Sequence, residues 1–152
     1  MAKSLEKLTS YTNILVPTDG SGPAWEVSKH AVYLAKQCGA SLHAIYVVEG
    51  GKAFKTGIHY HKTVGEMITD GKKAVKKIKK LAESTGVKCT TSILEGDVAK
   101  TIMEYALENR YDLIVIGLVD MGTLEKVFIG SVTPKVVERA HCSVHVVRPY
   151  HR

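Results

Sequence analysis

One stretch constrains the fold of this chain more than any other: a buried-strand pattern that leads through a loop into the start of a helix. The apolar run Leu113–Ile116 ends at Gly117, and Gly130-Ser131-Val132-Thr133 then opens a helical pattern. The first N–H groups of a helix have no partners inside it, and the helix dipole favours negative charge beside them. The stretch therefore predicts a phosphate-binding turn at the end of a strand. The alternative is that Ser131 only caps its own helix.

Strand and helix patterns alternate along the whole chain. Short apolar runs predict strands at residues 13–17, 41–48, 87–94, 113–117 and 143–147. Amphipathic patterns predict helices from Ser21 or Gly22 to Gly39, from about 64 to 85, after the N-cap Asp97, and from 131 to 140. This alternation indicates an α/β fold, a parallel sheet with helices on both faces.

Binding sites in such sheets lie at the carboxyl ends of the strands, where the winding reverses. Two loops compete for that place: the loop after the first strand, which carries Thr18 and Asp19, and the loop after the fourth. If those two strands are neighbours, both loops meet in one crevice. Asp19 could accept hydrogen bonds from ribose hydroxyls there or help to hold a metal. Alternatively, it is an ordinary turn aspartate.

Composition limits the class of protein. A chain of 152 residues with 45% hydrophobic residues is expected to form one domain over residues 1–152. No apolar run approaches the roughly 20 residues of a membrane span, and residues 1–11 lack the apolar segment of a secretory signal. Cys38, Cys89 and Cys142 are odd in number and far apart, which favours reduced thiols over disulfides or zinc. We therefore expect a cytoplasmic protein with no membrane partner.

The net charge is +6, and lysines are concentrated in the predicted helix 64–85. The apolar residues of this helix follow helical spacing, so the lysines are expected on its solvated outer face. No aromatic side chains interleave with them, as stacking on nucleic-acid bases would require. We therefore do not expect a nucleic-acid partner. The lysines are Lys72, Lys73, Lys76, Lys77, Lys79 and Lys80.

The remaining motifs carry little chemistry. The chain has neither the G-x-x-x-x-G-K-[ST] phosphate loop nor the G-x-G-x-x-G fingerprint of dinucleotide-binding folds. His59 and His61 would face the same side of an extended segment, but no third metal ligand is evident nearby, and no metal site is predicted. Residues 49–63 have no clear period and are predicted to form a mobile loop. No serine or cysteine has a recognisable base beside it, so no catalytic residue is predicted.

Four pieces of sequence complete the pattern: Ile14–Ser21 (ILVPTDGS), Gly96-Asp97, Asp112–Gly117 (DLIVIG), and Gly130-Ser131 leading to Val144–Val147. Together they resemble the universal stress protein family over a core of about residues 11–148. The resemblance implies a five-stranded parallel sheet of order 3-2-1-4-5, adenine nucleotide alpha hydrolase-like and Rossmann-like. Strands one and four are adjacent in that order. It also implies a homodimer that pairs through the fifth strands, here about Ser143–Val147.

The resemblance also implies a site. In the nucleotide-binding branch of the family, ATP lies across the carboxyl ends of strands one and four. Asp19 would face the ribose and phosphates, and the backbone of Val47 would meet adenine. The implied phosphate cradle consists of Gly117, Gly130, Ser131, Val132 and Thr133, and the implied lining includes Pro17, Thr18 and Ile116.

One position departs from the family signature, which is glycine, two residues, glycine, nine residues, then glycine followed by Ser or Thr. Here the frame runs from Gly117 to Gly130-Ser131, but its middle position is Asp120. A carboxylate beside phosphates is electrostatically unfavourable. Three outcomes are open. Asp120 turns away and Gly122 allows the close approach, Asp120 binds Mg²⁺ with the phosphates, or triphosphate binding is weakened and AMP or no nucleotide binds.

The expected function is that of a cytoplasmic stress-response regulator that binds ATP or AMP, with or without Mg²⁺. The alternative is a family member that has lost the nucleotide and acts as a dimeric interaction module. Because no general base is recognisable, at most slow ATP hydrolysis is expected.

Overall fold

The computed structural model describes residues 10–49, 63–118 and 130–148. Asp120, Gly122, His59, His61 and most of segment 49–63 lie outside these ranges. What the sequence predicts for those residues therefore stays a prediction.

Five parallel strands form one sheet, and the described helices lie on its two faces. The strands are β1 (Asn13–Pro17), β2 (Ser41–Val48), β3 (Cys89–Glu95), β4 (Leu113–Gly117) and β5 (Ser143–Val147). The helices are α1 (Gly22–Cys38), α2 (Val64–Ser84), α3 (Val98–Glu108) and α4 (Val132–Arg139). The predicted α/β fold class is confirmed.

The strand order is β3-β2-β1-β4-β5, as the resemblance implies. β1 lies between β2 and β4, so that Ile14 is opposite Leu42 on one side and Leu113 on the other. The chain winds from β1 outward to β3, crosses back to β4 and then winds outward to β5. The winding therefore reverses between β1 and β4, and a crevice is expected at their carboxyl ends.

Local polar signals set the helix ends. Ser21 and Asp97, the N-caps of α1 and α3, each accept a hydrogen bond from the backbone N–H three residues on. α2 begins with a capping box. The Thr63 side chain accepts a hydrogen bond from the Glu66 backbone N–H, and the Glu66 side chain accepts one from the Thr63 backbone N–H. α1 ends at Gly39, whose φ of +65° suits glycine. These short-range hydrogen bonds explain why the helix starts can be read from the sequence.

Some boundaries differ from the prediction. β3 begins at Cys89 and not at residue 87, because the Val87 N–H donates to the Ala82 carbonyl and closes the end of α2. Val87 therefore belongs to the helix end and not to the strand ladder. The other differences are that β3 continues to Glu95, α2 stops at Ser84, and α4 spans only Val132–Arg139.

Each face of the sheet buries its own apolar layer. α1 and α2 cover one face with side chains such as Val32 and Ile78, and α3 and α4 cover the other with Ile102 and Val136. β1 and β4 are central and buried on both faces, which accounts for their unbroken apolar runs. Among the described helices, none has both the length and the apolar character needed to cross a bilayer.

The lysines of α2 lie on its outer side, as predicted. All of those named above are exposed except Lys79, which is half-buried. The Lys77 ammonium lies 4.0 Å from the centre of the Trp25 ring, a cation–π contact that joins α2 to α1.

Candidate functional site

A cavity opens at the carboxyl ends of β1 and β4, where the winding reverses. Its volume is about 170 Å³, and its walls are mainly apolar. Gly130 and Ser131 are described but do not line it, and Asp120 lies outside the described residues. The residues expected at the site that do line it come from β1 and the turn after it, from β2, from β4 and from α4: Pro17, Thr18, Asp19, Val47, Ile116, Gly117, Val132 and Thr133.

The turn after β1 forms the first wall. The Gly20 N–H donates to Thr18 Oγ1 at 3.1 Å, and the Ser21 N–H donates to Asp19 Oδ1 at 2.9 Å. Gly20 has a φ of +79°, a left-handed conformation that glycine adopts without strain. Asp19 is therefore a turn aspartate, and the same bond orients its exposed carboxylate at the rim of the cavity.

The end of β4 and the start of α4 form the second wall. The buried Thr133 hydroxyl donates to the Gly117 carbonyl oxygen at 2.6 Å and fastens the helix to the strand. Ser131 occupies the N-cap position, but it forms no side-chain capping bond within the described residues, and its side chain is exposed. The expected alternative, in which the Ser131 side chain caps its own helix, is not observed. The positive end of the α4 dipole lies at this wall.

Side chains from α1 and α3 complete the floor of the cavity, and the sequence patterns did not identify them. Their position in the chain could have identified them. A helix that follows a strand in such a sheet starts at the carboxyl edge of the sheet, so its first turns face the site. The predicted caps Ser21 and Asp97 mark those first turns. The additional lining residues are Ser21, Pro23, Ala24 and Val27 at the start of α1, Val98 and Ile102 of α3, and outside these helices Tyr46 of β2 and Leu118 after β4.

Gly117 has a packing role as well as a place in the family signature. A Cβ on this residue would overlap Cγ2 of Val27, which is buried on α1. Only glycine therefore lets α1 lie this close to β4. Because Val27 and Gly117 both line the cavity, their contact fixes the distance between two of its walls.

A second polar cluster lies near the amino ends of β2 and β3. The buried His43 has Nδ1 2.5 Å from Thr90 Oγ1, and its Nε2 is 2.9 Å from Ser92 Oγ and 3.0 Å from the Tyr105 hydroxyl. The rings of Tyr105 and Tyr111 lie 5.3 and 5.8 Å from the imidazole centre. Burial lowers the pKa of His43 below its ordinary value. The surroundings therefore favour a neutral, structural imidazole.

The ligands needed for a metal site do not converge in the described part of the chain, where no group of three or more His, Cys, Asp or Glu side chains could hold an ion. The thiols of Cys38, Cys89 and Cys142 are free. Burial raises the pKa of the Cys89 thiol to about 11, which keeps it protonated at neutral pH.

Comparison with known proteins agrees with this architecture. The sequence profile of the universal stress protein family matches residues 10–148. A universal stress protein of Methanocaldococcus jannaschii is 40% identical over 140 residues, which are 91% of this chain and 82% of that protein.

Solved structures share the fold. The universal stress protein UspA from Lactobacillus plantarum has a TM-score of 0.75 at 30% identity, over 92% of this chain and 99% of that chain. The universal stress protein from Archaeoglobus fulgidus in complex with dAMP has a TM-score of 0.69 at 22% identity, over 91% and 98% of the two chains. On the family profile and on the 40% identical relative, the chain belongs to the universal stress protein family.

Proposed function

We propose that this protein binds an adenine nucleotide, ATP or AMP, in the cavity between β1 and β4, and that the bound nucleotide regulates a stress response in the cytoplasm. One observation carries the proposal. The turn with Asp19 and the Gly117–Thr133 wall line a single cavity. A base, a ribose and phosphates need three kinds of contact, and this cavity and the start of α4 beside it offer each of them.

The apolar floor suits the base. Val98 and Ile102 of α3 and Ile116 of β4 present aliphatic surface on which a planar ring can be buried. The backbone of Val47 lies at the end of β2, next to this floor, and by family resemblance it would meet adenine.

The rim suits the ribose and the phosphates. Oδ1 of Asp19 accepts one hydrogen bond from the turn, and an ionised carboxylate has about four acceptor positions, so capacity remains for ribose hydroxyls. The N-terminal end of α4 favours anions, and the exposed Ser131 hydroxyl makes no side-chain capping bond within the described residues. The Thr133 hydroxyl already donates its hydrogen bond to the Gly117 carbonyl oxygen. We therefore assign Thr133 to holding the start of α4 against β4 and not to contacting the phosphates.

The dAMP complex of the Archaeoglobus fulgidus relative supports this proposal, since that protein shares the fold over 91% of this chain. The direct test is thermal unfolding with ATP, ADP and AMP, each with and without Mg²⁺. A ligand at 100 times its Kd should stabilise the fold by about 2.7 kcal/mol. An unchanged melting temperature with every nucleotide would contradict the proposal.

A second candidate function rests on Asp120, which replaces the middle glycine of the family signature. In this alternative the protein has lost nucleotide binding and acts as a dimeric interaction module. Asp120→Gly should then create affinity for ATP that the wild type lacks. If the wild type already binds ATP as tightly as the variant, the alternative fails.

We also propose that the protein is a homodimer that pairs through β5. Within the described residues β5 pairs only with β4, so one edge carries backbone groups that a second copy could pair with. Val146 on β5 and Val137 on α4 are exposed apolar side chains near this edge, at 38% and 52%. Sedimentation should show a dimer that Val146→Asp dissociates, whereas a wild-type monomer would contradict the assignment.

A further inference from the structure

Tyr46 of β2 lies between the cavity, which it lines, and helix α2. A Cβ placed on Gly71 of α2 would come within 2.6 Å of Tyr46 Cδ1 and 2.8 Å of Cγ. Gly71 is buried in the interior of a long helix, where glycine is otherwise unfavourable. Its missing side chain leaves the space in which the Tyr46 ring is seated.

The opposite side of the same ring faces the turn after β1. A Cβ placed on Gly20 would lie 3.9 Å from Tyr46 Cε2, the ring atom across from Cδ1, and 3.5 Å from Cβ of Ala74 on α2. A side chain on Gly20 would therefore point at the Tyr46 ring and at Ala74. The ring and Ala74 are thus the groups that the turn carrying Asp19 faces on the side of α2.

The turn needs such support. The Thr18 N–H donates to the Ile45 carbonyl oxygen at 2.9 Å and ties the start of the turn to β2. The bonds from the Gly20 N–H to Thr18 and from the Ser21 N–H to Asp19 are internal and do not join residues 19–21 to α2. Asp19 itself is exposed. On the side of α2, this part of the turn faces the Tyr46 ring and Ala74.

We propose that Tyr46 is a positioning residue: its ring, seated on Gly71, holds the turn at residues 18–21 and thereby the Asp19 carboxylate at the rim of the cavity. The consequence for ligand binding rests on the proposed function, in which Asp19 binds the ribose of an adenine nucleotide. Gly71 is the matched partner of the ring, which explains a glycine inside α2.

The experiment titrates AMP, and ATP with Mg²⁺, into wild type, Tyr46→Phe and Tyr46→Leu. Phenylalanine keeps the ring contacts, so its affinity should stay within about twofold of wild type, whereas leucine should weaken binding about tenfold. Tyr33→Leu is the matched control, because Tyr33 is 63% exposed on α1 and does not line the cavity. Unchanged affinity in Tyr46→Leu overturns the proposal.

A double-mutant cycle with Asp19→Ala tests whether Tyr46 acts through Asp19. The loss caused by Tyr46→Leu should largely disappear when Asp19 is already absent. An equal loss in both backgrounds would mean that Tyr46 contacts the ligand itself or only supports the fold, and would overturn the proposal. Gly71→Ala displaces the same ring without removing it, so it should also weaken binding and gives a second variant if Tyr46→Leu does not fold.

A measurement without ligand separates this inference from the proposed function. Hydrogen exchange of the Gly20 and Ser21 amides, followed by NMR, should be about tenfold faster in Tyr46→Leu than in wild type or Tyr33→Leu. A wild type that binds none of the nucleotides contradicts the proposed function. Unchanged exchange at Gly20 and Ser21 contradicts the positioning role, whether or not a nucleotide binds.

Discussion

The Thr133 hydroxyl donates a 2.6 Å hydrogen bond to the carbonyl oxygen of Gly117. The two residues are 16 positions apart, and the bond joins the start of α4 directly to the end of β4. Since Thr133 is only 3% exposed, water does not compete strongly for this bond. The second wall of the cavity is therefore held together by a side chain that the family resemblance implies only as part of a phosphate cradle.

Thr133→Val should remove this bond while keeping the shape of the side chain. The Gly117 carbonyl loses its hydroxyl partner, so we expect the free energy of unfolding to fall by about 1–3 kcal/mol. Urea denaturation measures the change. Thr133→Ser is the control because it keeps the hydroxyl, and it should retain more of the stability than valine does. Equal losses in the two variants would show that the bond contributes little.

Gly117→Ala should destabilise the protein by overpacking. The added methyl group overlaps Val27, and relief of such an overlap costs about 1–3 kcal/mol. Val27→Ala makes room, so the double variant should be more stable than the sum of the two single changes predicts. Strict additivity in chemical denaturation would rule out the contact as the cause.

Replacing two aspartates that lie near opposite ends of the central strands should affect nucleotide affinity in one case and the stability of the fold in the other. Asp19→Ala should strongly weaken nucleotide binding with little effect on the melting temperature, because Asp19 is exposed at the cavity rim. Asp112 instead accepts hydrogen bonds from the Thr12 hydroxyl and from the backbone N–H groups of Thr12 and Asn13.

Asp112→Ala is therefore the matched control. It should lower stability by about 1.5–3 kcal/mol, since bonds to a charged acceptor are lost, while the Kd of the folded protein stays the same. Calorimetry and urea denaturation on both variants test the prediction. Nucleotide affinity lost equally in both would contradict the placement of the site.

The stability of the fold should fall in mildly acidic solution because of His43. Burial holds its pKa in the folded protein below the ordinary value of about 6.5 that it regains on unfolding. Between these two pKa values the unfolded chain binds a proton that the folded protein does not. The free energy of unfolding should therefore be constant with respect to this group well above pH 6.5 and decrease as the pH falls below it.

Urea denaturation at about pH 7.5 and about pH 5.5 measures this effect. His43→Gln removes the titrating group, so its stability should differ less between the two pH values than that of wild type. His30, His141 and His145 are exposed, and replacing one of them serves as the comparison. A pH dependence in His43→Gln as steep as that of wild type would contradict the assignment.

Much of the fold follows from local sequence signals, because those signals are themselves local physical contacts. The caps at Ser21 and Asp97 accept bonds from N–H groups three residues away, and Gly39 ends α1 through its own backbone conformation. β1 and β4 are central strands, so their apolar runs are unbroken. The apolar pattern extends β3 to Val87, which is wrong. The bond from the Val87 N–H to the Ala82 carbonyl depends on how α2 ends, and no strand pattern reveals it.

The candidate site could be predicted only in part, because tertiary contacts shape the rest. Thr18 and Asp19 directly follow β1, and Gly117 is the last residue of β4. Sequence patterns locate such strand ends. The floor at Val27 and Ile102 depends on how α1 and α3 pack on the sheet. Gly71 lies inside α2, although glycine is unfavourable in a helix interior, because the Tyr46 ring occupies the space that a side chain would fill.

The central claim is that one adenine nucleotide binds in the cavity between β1 and β4, and isothermal titration calorimetry tests it most directly. AMP and ATP with Mg²⁺ would be titrated into wild type, Asp19→Ala and Asp112→Ala. We predict a saturable heat with one site per chain, strongly weakened in Asp19→Ala and preserved in Asp112→Ala. No heat in the wild type with either nucleotide, or an undiminished heat in Asp19→Ala, would contradict the account.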